Sequence, residues 1–407
     1  MSNRVKKRSE RAVKRHRFLL SLLRFLCAWV FRLLLRFRYE KVKLDDSPYF
    51  IMLNHNSDFD PIFAGMVFKR FMYFVASEHV YRMGVFSKLI RYVFDPIIRM
   101  KGTTEARAAM EILRTARSGF NICIFAEGNR SFNGETGSVL ASTGKLVRRS
   151  GAGLVTYVLR GDYFTTPRWG WGIRRGLVKG ELAGIYTKEQ VAAMSDDEIN
   201  EIIVRDLYVN AFDDQRKLNV RYRGKLKNRA VGIENALYLC PLCENIGTIK
   251  SERDRFFCGC GLNMRYTEYG WLQTVGDVPA PFDNILEWDK WQVEKLRRKL
   301  TESDDADEAV FFDDSQILYE IKADYTMVEL VKGRLSFFRD RIEMTGPSNS
   351  VVFTFEEIDD IEITGRMNIN FSDSAGRSYE IRSAHSRAAA KYREGFRFLV
   401  RLKRSKQ

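Results

Sequence analysis

The sequence predicts an α/β protein built on a mostly parallel sheet flanked by helices, followed by a small ribbon held by four cysteines and a C-terminal antiparallel β domain with a capping helix. Three observations carry this reading. From about residue 48, short apolar runs alternate with helical periodicity, the pattern of a parallel sheet with crossover helices. Cys240, Cys243, Cys258 and Cys260 cluster within a short span. Beyond residue 308, alternating runs follow one another at close spacing until one last helical segment. The chain divides accordingly into residues 1–40, 41–235, 236–270, 271–307 and 308–407.

Residues 1–40 stand apart by charge. The 407-residue chain has 67 Lys and Arg against 52 Asp and Glu, a net charge of +15. Residues 1–38 hold twelve of those cations (among them Arg4, Lys6, Lys7 and Arg8) and one acid, Glu10. The body of the chain is therefore close to neutral, and no nucleic acid is expected as a partner; the arm is the part suited to an anionic surface. Its apolar stretch from Phe18 is interrupted by Arg24, Arg32 and Arg36. Each Arg at a bilayer centre costs about 2.5–3.5 kcal/mol, which argues against a spanning helix. Arg24, Ala28, Arg32 and Arg36 recur every four residues. The expectation is an interfacial amphipathic helix with arginines at the headgroups, peripheral or monotopic on the cytoplasmic face of a membrane. The alternative is a helix packed on the protein's own core.

In 41–235, Tyr49–Leu53 reads as a buried strand ending in Asn54-His55-Asn56-Ser57-Asp58-Phe59-Asp60-Pro61. Runs at 71–76, 121–125 and 154–159 read as further strands, and 103–117 as a helix with Thr103 or Thr104 as its cap. Parallel sheets bind ligands at the carboxyl ends of their strands, and two polar motifs sit at such ends. In the first, His55 and Asp60 suit a general base: a carboxylate holds one ring proton so that the other nitrogen accepts a proton. Five residues on a regular helix would not place both on one face, so the pair must straddle a turn or a helix start; Ser57 and Asp60 have capping-box spacing. In the second, Glu127-Gly128-Asn129-Arg130-Ser131 follows a strand. Gly admits close backbone approach, Arg offers a fork for phosphate and Ser adds a hydroxyl. Arg99 and Lys101 are further cations at a strand-like end. Taken singly, each motif is also compatible with a structural histidine and an ordinary charged turn.

His-x4-Asp within Asn54–Asp60, followed about seventy residues later by Phe125-Ala126-Glu127-Gly128-Asn129-Arg130-Ser131, resembles the glycerolipid acyltransferase family, whose best-known type is 1-acylglycerol-3-phosphate O-acyltransferase. The resemblance covers roughly residues 40–180. It implies that His55 deprotonates a glycerol hydroxyl with Asp60 as its orienting partner. The alkoxide would attack the thioester of acyl-CoA or acyl carrier protein, the co-substrate, and deliver the acyl group to a lysophospholipid acceptor, giving phosphatidate. It also implies that Arg99, Glu127, Gly128, Arg130 and Ser131 form the acceptor site. The chain departs from the family pattern at Ala126 and Asn129, where Pro and Thr are usual, at Val93 and Ile98 in the second motif, and at Thr156 in the fourth. Another lysophospholipid or a lyso-aminolipid therefore stays open as acceptor, and a non-catalytic lipid-binding scaffold is the reading from another class.

A charged helical region, 187–215, leads through a basic stretch to Cys240-Pro-Leu-Cys243 and Cys258-Gly-Cys260. Paired knuckles without a secretion signal read as metal ligands in a reducing compartment, not disulfides. Four thiolates predict a tetrahedral structural zinc with no open position for catalysis. Residues 271–307 read as a linker with a helix from Asp283 to Leu300. The nine runs from 309 to 382 and the helix 384–403 resemble a pleckstrin-homology-like or GRAM-like module, which touches lipid or a partner, or stands as a self-contained accessory barrel.

Overall fold

The structure, a computed structural model, describes residues 10–77, 85–99, 105–224, 228–279, 281–302, 305 and 307–405. The first part of the basic arm, Lys101 and the expected caps Thr103 and Thr104 lie outside the described residues. The chain forms two compact units, one of residues 1–167 and 173–223, the other of 168–172 and 224–407.

The first unit opens with helix α1 (Glu10–Leu35) and strand β1 (Arg38–Tyr39). Then come β2 (Tyr49–Leu53), α2 (Asp60–Val67), β3 (Met72–Ser77), α3 (Val85–Phe94), β4 (Ile97–Arg99), α4 (Glu105–Arg117) and β5 (Asn121–Phe125). They are followed by α5 (Ser142–Ser150), β6 (Gly153–Arg160), β7 (Lys179–Tyr186), α6 (Lys188–Ala193), α7 (Asp196–Leu207) and α8 (Ala211–Leu218). The seven strands form one sheet in the order β1-β7-β6-β2-β5-β3-β4. All pairs are parallel except β6 with β7. Period-2 alternation explains why β2 reads as an unbroken apolar run. Tyr49, Ile51 and Leu53 enter the core under α1 and α2, while Phe50 and Met52 enter the opposite core with Ile112 of α4, Val147 of α5 and Ile203 of α7. With β5 and β6 as its neighbours, β2 is central; its last residue, Leu53, pairs with Phe125 at the end of β5 and with Tyr157, three residues before the end of β6.

Helix α1 differs in one respect from the expected stripe of headgroup-facing arginines. Arg17, Arg32 and Arg36 are exposed. Arg24 instead turns inward and caps α2, donating from Nε to Gly65 O at 2.7 Å, from Nη2 to Phe68 O at 2.9 Å and from Nη1 to Lys69 O at 3.0 Å. The last carbonyls of a helix lack partners of their own and attract a cation. Phe31 and Leu35 of the same helix enter the core. The opposite side leaves Phe18, Leu22, Phe25, Leu26, Trp29, Val30 and Leu33 exposed. By length and composition alone, Arg11–Leu35 is sufficient to cross a bilayer.

The second unit begins its ribbon with β8 (Lys250–Glu252), β9 (Arg255–Phe257), β10 (Asn263–Tyr266) and β11 (Leu272–Thr274), an antiparallel sheet in the order β11-β10-β9-β8. Residues 168–172 are stitched into this unit. Trp169 is fully buried with its ring 5.2 Å from that of Tyr266, its carbonyl accepts from Asn235 Nδ2, and Arg168 donates to Ile363 O and Gly365 O. Helix α9 (Ile285–Thr301) leads to β12 (Phe311–Ile321), β13 (Met327–Phe337), β14 (Arg341–Thr345), β15 (Ser350–Thr354), β16 (Glu362–Thr364), β17 (Asn368–Ser372), β18 (Ser378–Ser383) and α10 (Ala390–Ser405). The first four of the nine runs fuse into two long strands, β12 and β13, because a bulge between Asp313 and Gln316 bends the pair without ending it. The seven strands are antiparallel in the order β15-β14-β13-β12-β18-β17-β16. Helix α10 buries Tyr392 and Phe396 against Phe311, Phe337 and Phe355. A Cβ on Gly395 would stand 2.8 Å from the Phe337 ring, so glycine sets this approach.

Candidate active site

The C-terminal end of β2 gives way to a tight loop that delivers His55 just before α2 begins at Asp60, with Pro61 in its first turn. His55 Nδ1 lies 2.8 Å from Asp60 Oδ2. The same oxygen accepts the backbone N–H groups of Asn56 and Ser57, each at 2.9 Å. Asp60 thus reaches back three residues to Ser57 N, as the acid of a capping box does, while Ser57 Oγ accepts the N–H of Phe59 at 3.1 Å. This is the loop-to-helix bend that the five-residue spacing demands. Asp60 has no exposed side-chain surface, whereas the His55 ring is 20% exposed and stacks on Phe125 at 4.3 Å. A buried partner and a reachable imidazole suit proton transfer to or from a bound group. Burial pushes the Asp60 carboxyl up, against the pull of the Ser57 and Asn56 amides.

The second motif follows β5, the neighbour of β2. Glu127 bridges the two loops: Oε1 accepts the N–H of His55 and Oε2 that of Gly137, both at 2.7 Å. Its carboxyl is pushed up to about 8, by burial first and then by the charges of Asp60 and Asp162. Ser131 also acts on the scaffold, with N–H donating to His55 O at 3.0 Å and Oγ accepting from Gly134 N at 2.9 Å. Glu127 and Ser131 therefore grip the His55 backbone from both sides. Gly128 has φ +68°, and a Cβ there would meet Arg99 Nη1 at 3.4 Å, which places the Arg99 guanidinium against this turn. Arg130 Nη2 lies 3.1 Å from Asp58 Oδ1. Arg99 thus stands against the Gly128 turn and Arg130 against Asp58 of the His55 loop, while Glu127 and Ser131 hold the His55 backbone.

The motifs do not include the residues that β6 contributes. Thr166 Oγ1 lies 2.8 Å from Ser57 Oγ, fastening the loop after β6 to the loop after β2. Asp162 is fully buried two residues beyond β6. The available signal was positional: Gly161-Asp162 follows an apolar run at a strand's carboxyl end, as His55 and Glu127 do.

Residues 35–160 match the family model described as Acyltransferase. This segment is an acyltransferase-family domain. Both loops of the acyltransferase domain that carry the motifs fall inside the matched range. Among solved structures, the chain is similar to the 1-acyl-sn-glycerophosphate (LPA) acyltransferase PlsC from Thermotoga maritima, at 17% identity and a TM-score of 0.42, over 50% of this chain and 81% of that one. It is also similar to Inner Membrane Complex sub-compartment protein 3 (ISP3) from Toxoplasma gondii, at 12% identity and a TM-score of 0.18, over 28% of this chain and 88% of that one. No curated protein matches the chain.

In the second unit, the four ribbon cysteines bring their sulfurs within 4.8 Å of one another. Cys240 and Cys260 Sγ are 3.5 Å apart, and Cys243 and Cys258 Sγ 3.8 Å. A tetrahedral ion with Zn–S bonds of about 2.3 Å sets sulfurs roughly 3.8 Å apart. The donor set therefore fits a metal ion, and Gly261, at φ +105°, closes the short second knuckle by donating to Cys258 O at 3.1 Å.

Proposed function

We propose that this protein is a membrane-surface O-acyltransferase that moves a fatty acyl group from acyl-CoA or acyl carrier protein to the free hydroxyl of 1-acylglycerol-3-phosphate. The observation that carries the reading is the 2.8 Å approach of His55 Nδ1 to a fully buried Asp60 at the end of β2. With Nδ1–H directed at Asp60, Nε2 carries the lone pair that accepts the acceptor's hydroxyl proton. The alkoxide then attacks the thioester carbonyl, and the negative oxygen of the tetrahedral intermediate needs nearby donors. Collapse breaks the C–S bond, and the imidazolium returns its proton to the departing thiolate. Arg99, Gly128 and Arg130 hold the acceptor's phosphate, since guanidinium forks suit a dianion and a glycine lets the backbone approach it closely. Glu127 and Ser131 keep the His55 loop in register.

The ribbon holds a structural zinc through Cys240, Cys243, Cys258 and Cys260, closed to substrate because all four positions are thiolates. The exposed apolar side of α1 enters an anionic leaflet on the cytoplasmic face, with Arg17, Arg32 and Arg36 at the headgroups. A second acceptor reading, a lyso-aminolipid or another lysophospholipid, is favoured by Asp58, half exposed and 3.1 Å from Arg130, which offers an ammonium group a partner beside the phosphate site.

The test supplies labelled acyl-CoA and a panel of lyso-lipids to the wild type and to His55→Ala. Transfer to lysophosphatidate that disappears in the variant supports the first reading. Transfer confined to amine-bearing acceptors supports the second. No transfer by folded wild type, with either thioester donor, leaves the lipid-binding scaffold.

A further inference from the structure

The loop after β6, residues 161–167, touches both motif loops, yet the proposed mechanism gives it no task. Gly161 opens it at φ +77°, where a Cβ would meet the Tyr222 hydroxyl at 2.4 Å and Leu177 O at 2.5 Å. Glycine therefore lets the chain leave β6 in this direction. Asp162 O then accepts the N–H of Thr165 at 3.0 Å and its hydroxyl at 2.6 Å, closing a tight turn. Tyr163, fully buried, donates its hydroxyl to Phe132 O at 3.0 Å, in the loop after β5. Thr166 stands at the far end, buried, and the Pro167 that follows it disfavours helical backbone there.

Thr166 meets three groups of the site through two of its atoms. Its Oγ1 lies 2.8 Å from Ser57 Oγ and accepts the N–H of Asp58 at 3.3 Å. Its carbonyl accepts from Arg130 Nη1 at 3.5 Å. Arg130 Nη2 in turn lies 3.1 Å from Asp58 Oδ1. A ring of contacts results: Thr166 Oγ1 fixes the Asp58 backbone, the Asp58 carboxylate meets one guanidinium nitrogen, and the Thr166 carbonyl meets the other. The Arg130 side chain is only 13% exposed, so this ring, more than solvent, sets the plane of its guanidinium. A guanidinium recognises phosphate through a rigid planar fork, which makes the orientation of that plane decide the contact. Removing Thr166 Oγ1 would take the acceptor from Asp58 N and the side-chain partner from Ser57, and polar groups left unpaired in a buried loop shift to find others.

We propose that Thr166 is a positioning residue for acceptor binding, which acts through Asp58 and Arg130 to present the guanidinium fork to a phosphate monoester. The proposal rests on the reading of Arg130 as a phosphate-binding group and is independent of the role of His55.

The tests use the full-length protein. Thr166→Val keeps the shape and removes the hydroxyl. It is expected to raise KM for lysophosphatidate about tenfold, with kcat and the KM for acyl-CoA within about twofold of wild type. Thr166→Ala, a second variant without the hydroxyl and with less bulk to place, is expected to behave alike. Thr166→Ser restores the oxygen and is expected to rescue the acceptor KM. In an Arg130→Lys background, which keeps the charge but has no fork to orient, Thr166→Val is expected to add nothing to the acceptor KM. A staple that merely holds two loops together predicts otherwise. Joint losses in kcat and both KM values, or the same loss on either background, overturn the proposal. Calorimetric binding of glycerol 3-phosphate separates it from the acyltransferase reading. A wild type that transfers nothing, yet binds this probe about tenfold more tightly than Thr166→Val does, ends that reading and supports the proposal. A wild type that binds the probe no better than Thr166→Val overturns the proposal, whatever its transfer activity.

Discussion

One oxygen of Asp60, Oδ2, receives the Nδ1 side of His55 at 2.8 Å and the backbone N–H groups of Asn56 and Ser57 at 2.9 Å. The aspartate that orients the imidazole is thus also the group that folds the loop carrying it. Asp60→Asn tests both duties. The amide keeps the volume, but its oxygen is neutral and its nitrogen repels N–H donors. Transfer is expected to fall about 10²- to 10⁴-fold, the usual worth of a positioned acid–base group. Because the loop amides lose their acceptor, the melting temperature is expected to fall as well. A variant with wild-type kcat would remove Asp60 from the mechanism.

Glu127 provides a pH experiment. Its two oxygens take His55 N and Gly137 N, so Glu127→Gln leaves one amide facing an NH2 group. The expected cost is about 1–3 kcal/mol below pH 4.5. The wild-type carboxyl titrates near 8 when folded against an ordinary 4.5 unfolded. A raised folded value means that the wild type loses stability as pH climbs from about 4.5 through about 8. The glutamine variant lacks this loss. Denaturant titrations are expected to show the gap between the two proteins narrowing over that window, and a widening gap would refute the assignment.

How much of this was legible in sequence differs by element. The central strands were readable because strands buried on both faces are uninterrupted apolar runs, as Phe50-Ile-Met-Leu53 shows. The antiparallel β7 was not, since Lys179–Tyr186 lies partly exposed and alternates weakly. His55 and Asp60 are close in sequence, so a motif can hold them. Thr166 lies more than a hundred residues away and reaches their loop only through the pairing of β6 with β2. Arg24 shows the opposite failure. Its four-residue rhythm with Arg32 and Arg36 is real, yet the free carbonyls of α2 capture it. Periodicity finds a polar stripe but cannot say what meets it.

That capture predicts how α1 is held. Arg24→Met keeps the aliphatic stem and removes donors to Gly65 O, Phe68 O and Lys69 O. The acyltransferase domain is expected to lose about 1–3 kcal/mol, as for a charged donor removed from partly buried acceptors. Hydrogen exchange is expected to rise in both α1 and α2. Protection unchanged in α2 would show that the cap contributes nothing.

The exposed side of the same helix leads to a different outcome. Phe25, Trp29 and Leu33 are 65%, 66% and 73% exposed, so their replacement by polar residues removes no core packing. Phe25→Ser with Trp29→Ser is expected to leave thermal stability unchanged while weakening flotation with anionic vesicles at least tenfold, since two buried aromatics contribute several kcal/mol to interfacial binding. A drop in melting temperature without any loss of flotation would place this face in a protein contact instead.

The ribbon is expected to depend on its metal. Its strands are three or four residues long, too short to be stable alone, and the sulfurs of Cys240, Cys243, Cys258 and Cys260 stand within 4.8 Å of one another without being bonded. Four thiolates brought this close repel unless a cation joins them, so binding free energy becomes folding free energy. Purified protein is expected to hold one zinc per chain by elemental analysis, and Cys258→Ser to hold it more weakly. A chelator is expected to expose the ribbon to protease and lower the first melting transition. Because all four positions are filled by protein, zinc restored after chelation should recover stability without altering the pH profile of transfer. A chelator that abolished transfer while the ribbon stayed protease-resistant would contradict a structural role and place the ion in the chemistry.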